Sequence, residues 1–145
     1  MKLIYETNSD RERERAFMRD LEKRLNCKML KLPYHWQIDC IAARKDYHRE
    51  LWATAYCELK CRNIGSKDYP TIVLTEKKAL TGIKLATHAG IPFSFFVRFK
   101  DGDKFVNLSS LKGFRRELWK ARNHAHDPKD TKVVVHIPIE LFRGL

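Results

Sequence analysis

No stretch of this 145-residue chain approaches the roughly 18 consecutive apolar residues of a membrane-spanning helix, so neither a helical span nor a membrane partner is expected. The opening MKLIYETNSDRERER carries only a short apolar patch before strong charge, unlike a secretory signal, and a cytoplasmic location is expected. Internal repeats and low-complexity linkers are missing too, and the length suits a single domain. Cysteine is scarce: Cys27, Cys40, Cys57 and Cys61 match neither a paired CxxC zinc site nor a dense disulfide framework. They read as reduced core residues. Acids are in deficit, 18 Asp and Glu against 29 Lys and Arg, giving a net charge of +11 and a pI near 9.7. Such a balance favours a polyanionic partner, nucleic acid before membrane surface, although excess lysine also simply keeps a small domain soluble. Apolar residues at 43% and aromatics at 11% exclude global disorder.

Hydrophobic spacing supplies the elements. Phe17, Met18, Leu21 and Leu25 recur at intervals of three and four, predicting a helix over 9–26. Ser9 and Glu12 have capping-box spacing at its start, which gives Glu12 a structural duty. Extended segments are expected at 27–32 and 36–43, with Pro33-Tyr34-His35 as a turn between them and 44–50 as a hairpin connection. From Leu51 to Cys61 the residues alternate, placing Trp52, Thr54, Tyr56, Glu58 and Lys60 on one face and the cysteines on the other, packed face. After a polar loop and the short apolar run 71–74, a second helix is predicted over 76–89, with Thr75 as N-cap, Gly90 as C-cap and Ala79, Leu80, Ile83 and Ala86 as its buried stripe. Strands are expected at 93–99 and 104–108, joined through Asp101-Gly102, then a short basic helix at 114–122, a loop at 123–131 and a strand at 132–137. The order describes an α/β architecture: a mixed central β-sheet flanked by helices. A core of about residues 9–108 would carry a basic extension over 109–145.

Glu58 and Lys60 project to the same face of one strand, and Asp39 can reach them from the neighbouring strand of the expected hairpin. Two carboxylates beside an ammonium suit Mg²⁺ or Mn²⁺, hard ions that bind substrate phosphate in their remaining positions. A bound ion activates water and stabilises charge at an attacked phosphorus, with the lysine orienting the nucleophile or neutralising that charge. The competing reading is an ordinary cross-strand ion pair on a solvated face.

Ile38-Asp39 and Cys57-Glu58-Leu59-Lys60 resemble the Asp and ExK elements of the PD-(D/E)xK nuclease superfamily, and the helix-strand-strand-helix order around them is similar too. Ile38 stands where the superfamily's nominal Pro would be. The resemblance covers roughly residues 9–99 and is also similar to small Holliday-junction-resolvase-like and VRR-Nuc-like members. It implies a restriction-endonuclease-like fold with an αβββαβ core. Implied as well is a metal-dependent nuclease, with Asp39 and Glu58 as ligands, the Leu59 backbone carbonyl completing the shell and Lys60 as the catalytic lysine. The first helix often supplies another acid; here that is Glu14, on the buried stripe, with Glu12 as fallback. The second helix often carries a basic side chain, for which Lys78 is first choice, Lys77 and Lys84 competing. DNA is expected before RNA, and junction cutting would favour a homodimer.

Other features are weighed beside this site. His124-Ala125-His126-Asp127 could hold a metal but reads as solvent-facing loop histidine. Trp52 and Tyr56 could stack on unpaired bases or cover the sheet rim. Residues 111–132 interleave Phe114 and Trp119 with Lys112, Arg115, Arg116, Lys120 and Arg122, which suits a phosphate-contacting surface or a solvated amphipathic helix. A non-catalytic nucleic-acid-binding module is the main alternative function, and a structural adaptor in a nucleoprotein complex the third.

Overall fold

The computed structural model describes residues 7–120 and 131–145. Helix α1 spans Asn8–Leu25 and buries Phe17 and Leu21 completely. Its capping box is not the expected one. Thr7 is extended, its hydroxyl accepts from the Asp10 amide, and the Asp10 carboxylate accepts from the Thr7 amide, both at 3.1 Å. Ser9 already lies inside the helix and cannot adopt the extended backbone a cap requires. Glu12 is therefore released from capping, and Glu14 ranks above it only by burial: Glu14 is half-buried and Glu12 exposed.

Strands β1 (Lys28–Lys31), β2 (Cys40–Lys45) and β3 (Leu51–Cys61) form an antiparallel meander. The second expected strand begins late. Tyr34–Trp36 is a 3-10 turn and Gln37 is left-handed at φ 71°, so the chain reverses before Asp39 and enters β2 one residue after it. Next come β4 (Thr71–Thr75), α2 (Glu76–Ala89), β5 (Phe93–Phe99), β6 (Gly102–Asn107), β7 (Arg115–Trp119), β8 (Lys132–Pro138) and β9 (Arg143–Gly144). Among the described residues the main sheet runs β1-β2-β3-β5-β6-β9, mixed because β3 and β5 are parallel, and a smaller sheet runs β4-β8-β7.

Residues 115–119 form a strand, not the expected basic helix. Arg115, Glu117 and Trp119 alternate with Arg116 and Leu118, and each pairs with the Val-rich β8. The ladder with β8 supplies partners for the backbone of these residues, so sheet pairing overrides local propensity. Residues 121–130, which include Arg122 and the His124-Ala125-His126-Asp127 motif, lie outside the described residues. Much of the basic C-terminal segment belongs to the core: Val135, Ile137 and Phe142 pack with Phe93, Phe95 and α2.

Two apolar cores clamp the main sheet. On one face α1 packs over Met29, Cys40, Ala42, Cys57 and Leu59; on the other, α2 and the small sheet cover Ile38, Phe93, Phe95 and Val97. Within β3 from Ala55 onward, odd positions face α1, while Tyr56 belongs to the α2 side, and so by alternation do Glu58 and Lys60. Helix α2 buries Ala79, Gly82 and Ala86; Leu80, expected inside, is 47% exposed because it lies about 100° around the helix from Ala79. Gly82 sits against Phe93 so closely that an added Cβ would fall 2.5 Å from its ring. This close approach seats α2 on the sheet.

Candidate active site

Cys40 and Cys57 are in register, so the residues just outside that pair, Asp39 and Glu58, meet where β2 begins and β3 continues alone on that edge. The Asp39 Oδ2 accepts from the Leu59 amide at 2.8 Å, and its own carbonyl accepts from the Leu32 amide at 2.9 Å. Even residues of β3 direct their backbone groups to β5, as the Tyr56 amide bonded to the Pro92 carbonyl and the Arg62 amide bonded to the Arg98 carbonyl show. Leu59, being odd, turns its carbonyl to the same edge as its amide, toward Asp39.

Glu58 is only 3% exposed. Its Oε1 accepts from Lys78 Nζ at 2.8 Å, while Oε2 is buried with no hydrogen-bond partner among the described residues. Burial, and then the negative charge of Asp39, push its carboxyl up to about 8, against the pull of Lys78. Lys60 donates to the Val73 carbonyl at 2.8 Å, on the edge of β4 that carries no strand partner. Its ammonium is pushed down to about 8, first by burial and then by Arg62, with Glu58 opposing. For Lys78, burial works against the charged form, but Glu58 and Asp39 outweigh it and the pKa is raised.

Of the three competing lysines of α2, only Lys78 turns inward; Lys77 and Lys84 are exposed. Helical geometry explains the choice, since Lys78 lies next to the buried Ala79 and one turn ahead of Gly82 on the packed stripe. Glu14 is half-buried on α1, beneath the opposite face of the sheet. Its charge acts on Lys78 and Cys61, yet among the described residues no three His, Cys, Asp or Glu side chains converge closely enough to hold a metal ion. Glu12 is exposed.

The structure does not bring Trp52 to this site. A register shift lets Ala42 oppose Ala55 and Ala43 oppose Ala53, leaving Thr54 as a bulge and reversing the alternation. Trp52 thus lies opposite Arg44, whose guanidinium reaches the Leu25 carbonyl at the end of α1, and its indole donates to Asp46 at 2.8 Å. Tyr56 packs partly buried against the α2-side core. All four cysteines are free, with Cys40 and Cys57 buried on the α1 side.

On the small sheet, Arg115 is largely exposed, bonded to His136 Nδ1 at 3.2 Å and paired with Glu117 at 3.6 Å; Arg116 pairs with Glu76, and Lys120 is exposed. A guanidinium can only donate, so His136 Nδ1 accepts from it and from the Thr71 hydroxyl at 2.8 Å, and Nε2 carries the proton facing Glu117. Sequence reasoning missed this cluster, because Thr71 and His136 meet only once β4 and β8 pair.

Two carboxylates, one of them with a buried orphan oxygen, fit a divalent cation. Mg²⁺ is bound through one or two carboxylates plus substrate phosphate and water, not a full protein cage. A mixed sheet with an acid at a strand mouth, a Glu-x-Lys on the next strand and helices on both faces is the restriction-endonuclease-like nuclease fold. The chain belongs to the family described as "Phage putative PDDEXK endonuclease", which matches residues 1–145. Among solved structures it is similar to the Holliday junction resolvase Hjc of the archaeal hyperthermophile Archaeoglobus fulgidus, with 13% identity over 92% of each chain and a TM-score of 0.53. A nuclease from a fusselovirus is similar at 9% identity over 99% of this chain and 91% of that one, with a TM-score of 0.50. Among curated proteins none matches the sequence.

Proposed function

We propose that this nuclease-family protein hydrolyses phosphodiester bonds in DNA with Mg²⁺ or Mn²⁺. The observation that carries the reading is the Glu58 carboxylate, buried beside Asp39 with Oε2 unpartnered, a site that is costly until a cation enters. Asp39, Glu58 and the Leu59 carbonyl would hold the ion, with Glu14 as the auxiliary acid. The bound ion would supply a lowered water pKa and stabilise charge at phosphorus. Lys60, its ammonium pushed down to about 8 by burial, is poised to hold or move a proton at the attacking water. Lys78 positions Glu58 through Oε1 and adds positive charge where a phosphate would approach. Lys77, Lys84, Arg115, Arg116 and Lys120 would serve as phosphate contacts. Cutting two strands in register calls for a homodimer, and the free thiols fit a reducing, cytoplasmic setting.

The test is cleavage of labelled DNA under divalent-metal titration, with calorimetry of metal binding alongside. Asp39→Ala and Lys60→Ala should each abolish cleavage while the fold, followed by circular dichroism, persists. Unchanged cleavage in both variants would sink the site assignment. A second reading, a non-catalytic DNA-binding module, is favoured by one contact: Lys60 is tied to the Val73 carbonyl. It predicts DNA binding with no metal-dependent turnover.

A further inference from the structure

The chain from Leu32 to Asp39 leaves the sheet and returns to it, closed at its base by the Leu32 amide bonded to the Asp39 carbonyl at 2.9 Å. Both ends are anchored in the core, by Leu32 packed on the α2 side and by Ile38, which is buried. In between, the Trp36 amide bonds to the Pro33 carbonyl at 2.9 Å, forming the 3-10 turn, and left-handed Gln37 turns the chain back. A tight, doubly anchored loop thus carries Tyr34-His35-Trp36 directly into the metal-ligand position.

This loop leaves its aromatics outside. Tyr34 is 53% and Trp36 40% exposed, whereas Ile38, two residues on, is buried. Three Cα–Cα steps of 3.8 Å place the Trp36 Cα at most about 11 Å from that of Asp39. The other exposed tryptophans cannot serve the site in the same way. Trp52 lies six residues up β3 from Glu58, roughly 20 Å away, with its indole bonded to Asp46. Trp119 sits on the small sheet, bonded to Glu117.

Exposed rings on a loop that leads into Asp39 offer a nucleic-acid substrate one kind of contact: a π face for a base. In continuous duplex the base faces are covered by their neighbours, so only an unpaired nucleotide can accept that contact. We propose that Tyr34 and Trp36 form a stacking platform for an unpaired base next to the scissile phosphate. DNA with single-stranded or branched segments is then the preferred substrate over continuous duplex. The proposal rests on the nuclease reading for its substrate, but the stacking contact can be measured without cleavage.

The probe is oligothymidylate, compared with a blunt duplex, in metal-free buffer. Binding to oligothymidylate should quench Trp36 fluorescence in a Trp52→Phe, Trp119→Phe background. Trp36→Ala should weaken that binding roughly tenfold, with Tyr34→Ala adding to the loss and Trp36→Phe restoring most of it, whereas duplex binding falls by a much smaller factor. With Mg²⁺ present, the loss in kcat/KM should likewise be larger on a flapped duplex than on the blunt one. Equal losses on paired and unpaired DNA, or no quenching, would overturn the proposal. Quenching and weakened binding in a protein that cleaves nothing would overturn the nuclease reading and support the platform.

Discussion

Lys78 Nζ lies 2.8 Å from Glu58 Oε1, while Oε2 of the same carboxylate, equally buried, has no hydrogen-bond partner among the described residues. The lysine satisfies half of the group and leaves the other half facing Asp39. Burial, and then the negative charge of Asp39, keep the Glu58 pKa raised despite a cation in contact, which makes the site's behaviour measurable before any substrate is known.

Stability without metal should depend on Glu58 protonation. With a folded pKa near 8 against an ordinary 4.5, the folded chain holds a proton that the unfolded chain has released, so this group's contribution is present below about pH 4.5 and lost as pH rises through about 8. Glu58→Gln should therefore stabilise the protein at pH 8 by up to a few kcal/mol, because each tenfold change in proton affinity is worth roughly 1.4 kcal/mol, and should have much less effect at pH 4.5. Urea denaturation of both proteins at the two pH values checks it. A difference independent of pH would contradict the buried-carboxyl account.

Metal binding should expel that proton. Burial and Asp39 push the Glu58 carboxyl up to about 8, and a ligand carboxylate must be ionised, so binding of Mg²⁺ or Mn²⁺ near neutral pH should release protons. Calorimetric titration in buffers of different ionisation heat measures the number directly. In Glu58→Gln the release should vanish and the affinity fall.

Lys78 and the cation compete for one carboxylate. Lys78→Met removes a positive charge in contact with Glu58, so metal affinity should hold or tighten by a Coulombic argument, while cleavage drops about 10- to 100-fold for want of the charge and the positioned carboxylate. Parallel loss of metal binding and cleavage would show that Lys78 only maintains the fold.

Gly82 controls where Lys78 sits. A methyl group there would meet the Phe93 ring at 2.5 Å, and that ring is completely buried, so Gly82→Ala should cost about 1–3 kcal/mol and shift α2 outward. Thermal melting should show the loss. Cleavage, measured well below the melting temperature, should fall as well, because Lys78 and Glu58 would lose register.

A good share of this architecture is written in local patterns. The 3.6-residue stripe of Phe17 and Leu21, the alternation around Glu58 and Lys60, and Gly90 after α2 each follow from spacing and backbone chemistry alone, so the element order and the Glu-x-Lys face were readable from the chain. Where reading by pattern failed, a long-range partner was in control. Trp52 changes face because one bulged residue, Thr54, breaks the period of two against β2; residues 115–119 extend because β8 offers them a ladder. Asp39 is the clearest case. Its residue type and rough position were legible, but its place at the mouth of β2, bonded to the Leu59 amide and preceded by an exposed aromatic turn, exists only once β1, β2 and β3 are in register. The identity of the acids and the lysines was determined by sequence. Which lysine faces Glu58 and which oxygen is left unpaired were decided by tertiary structure, because burial and charge are properties of neighbours that lie far apart along the chain.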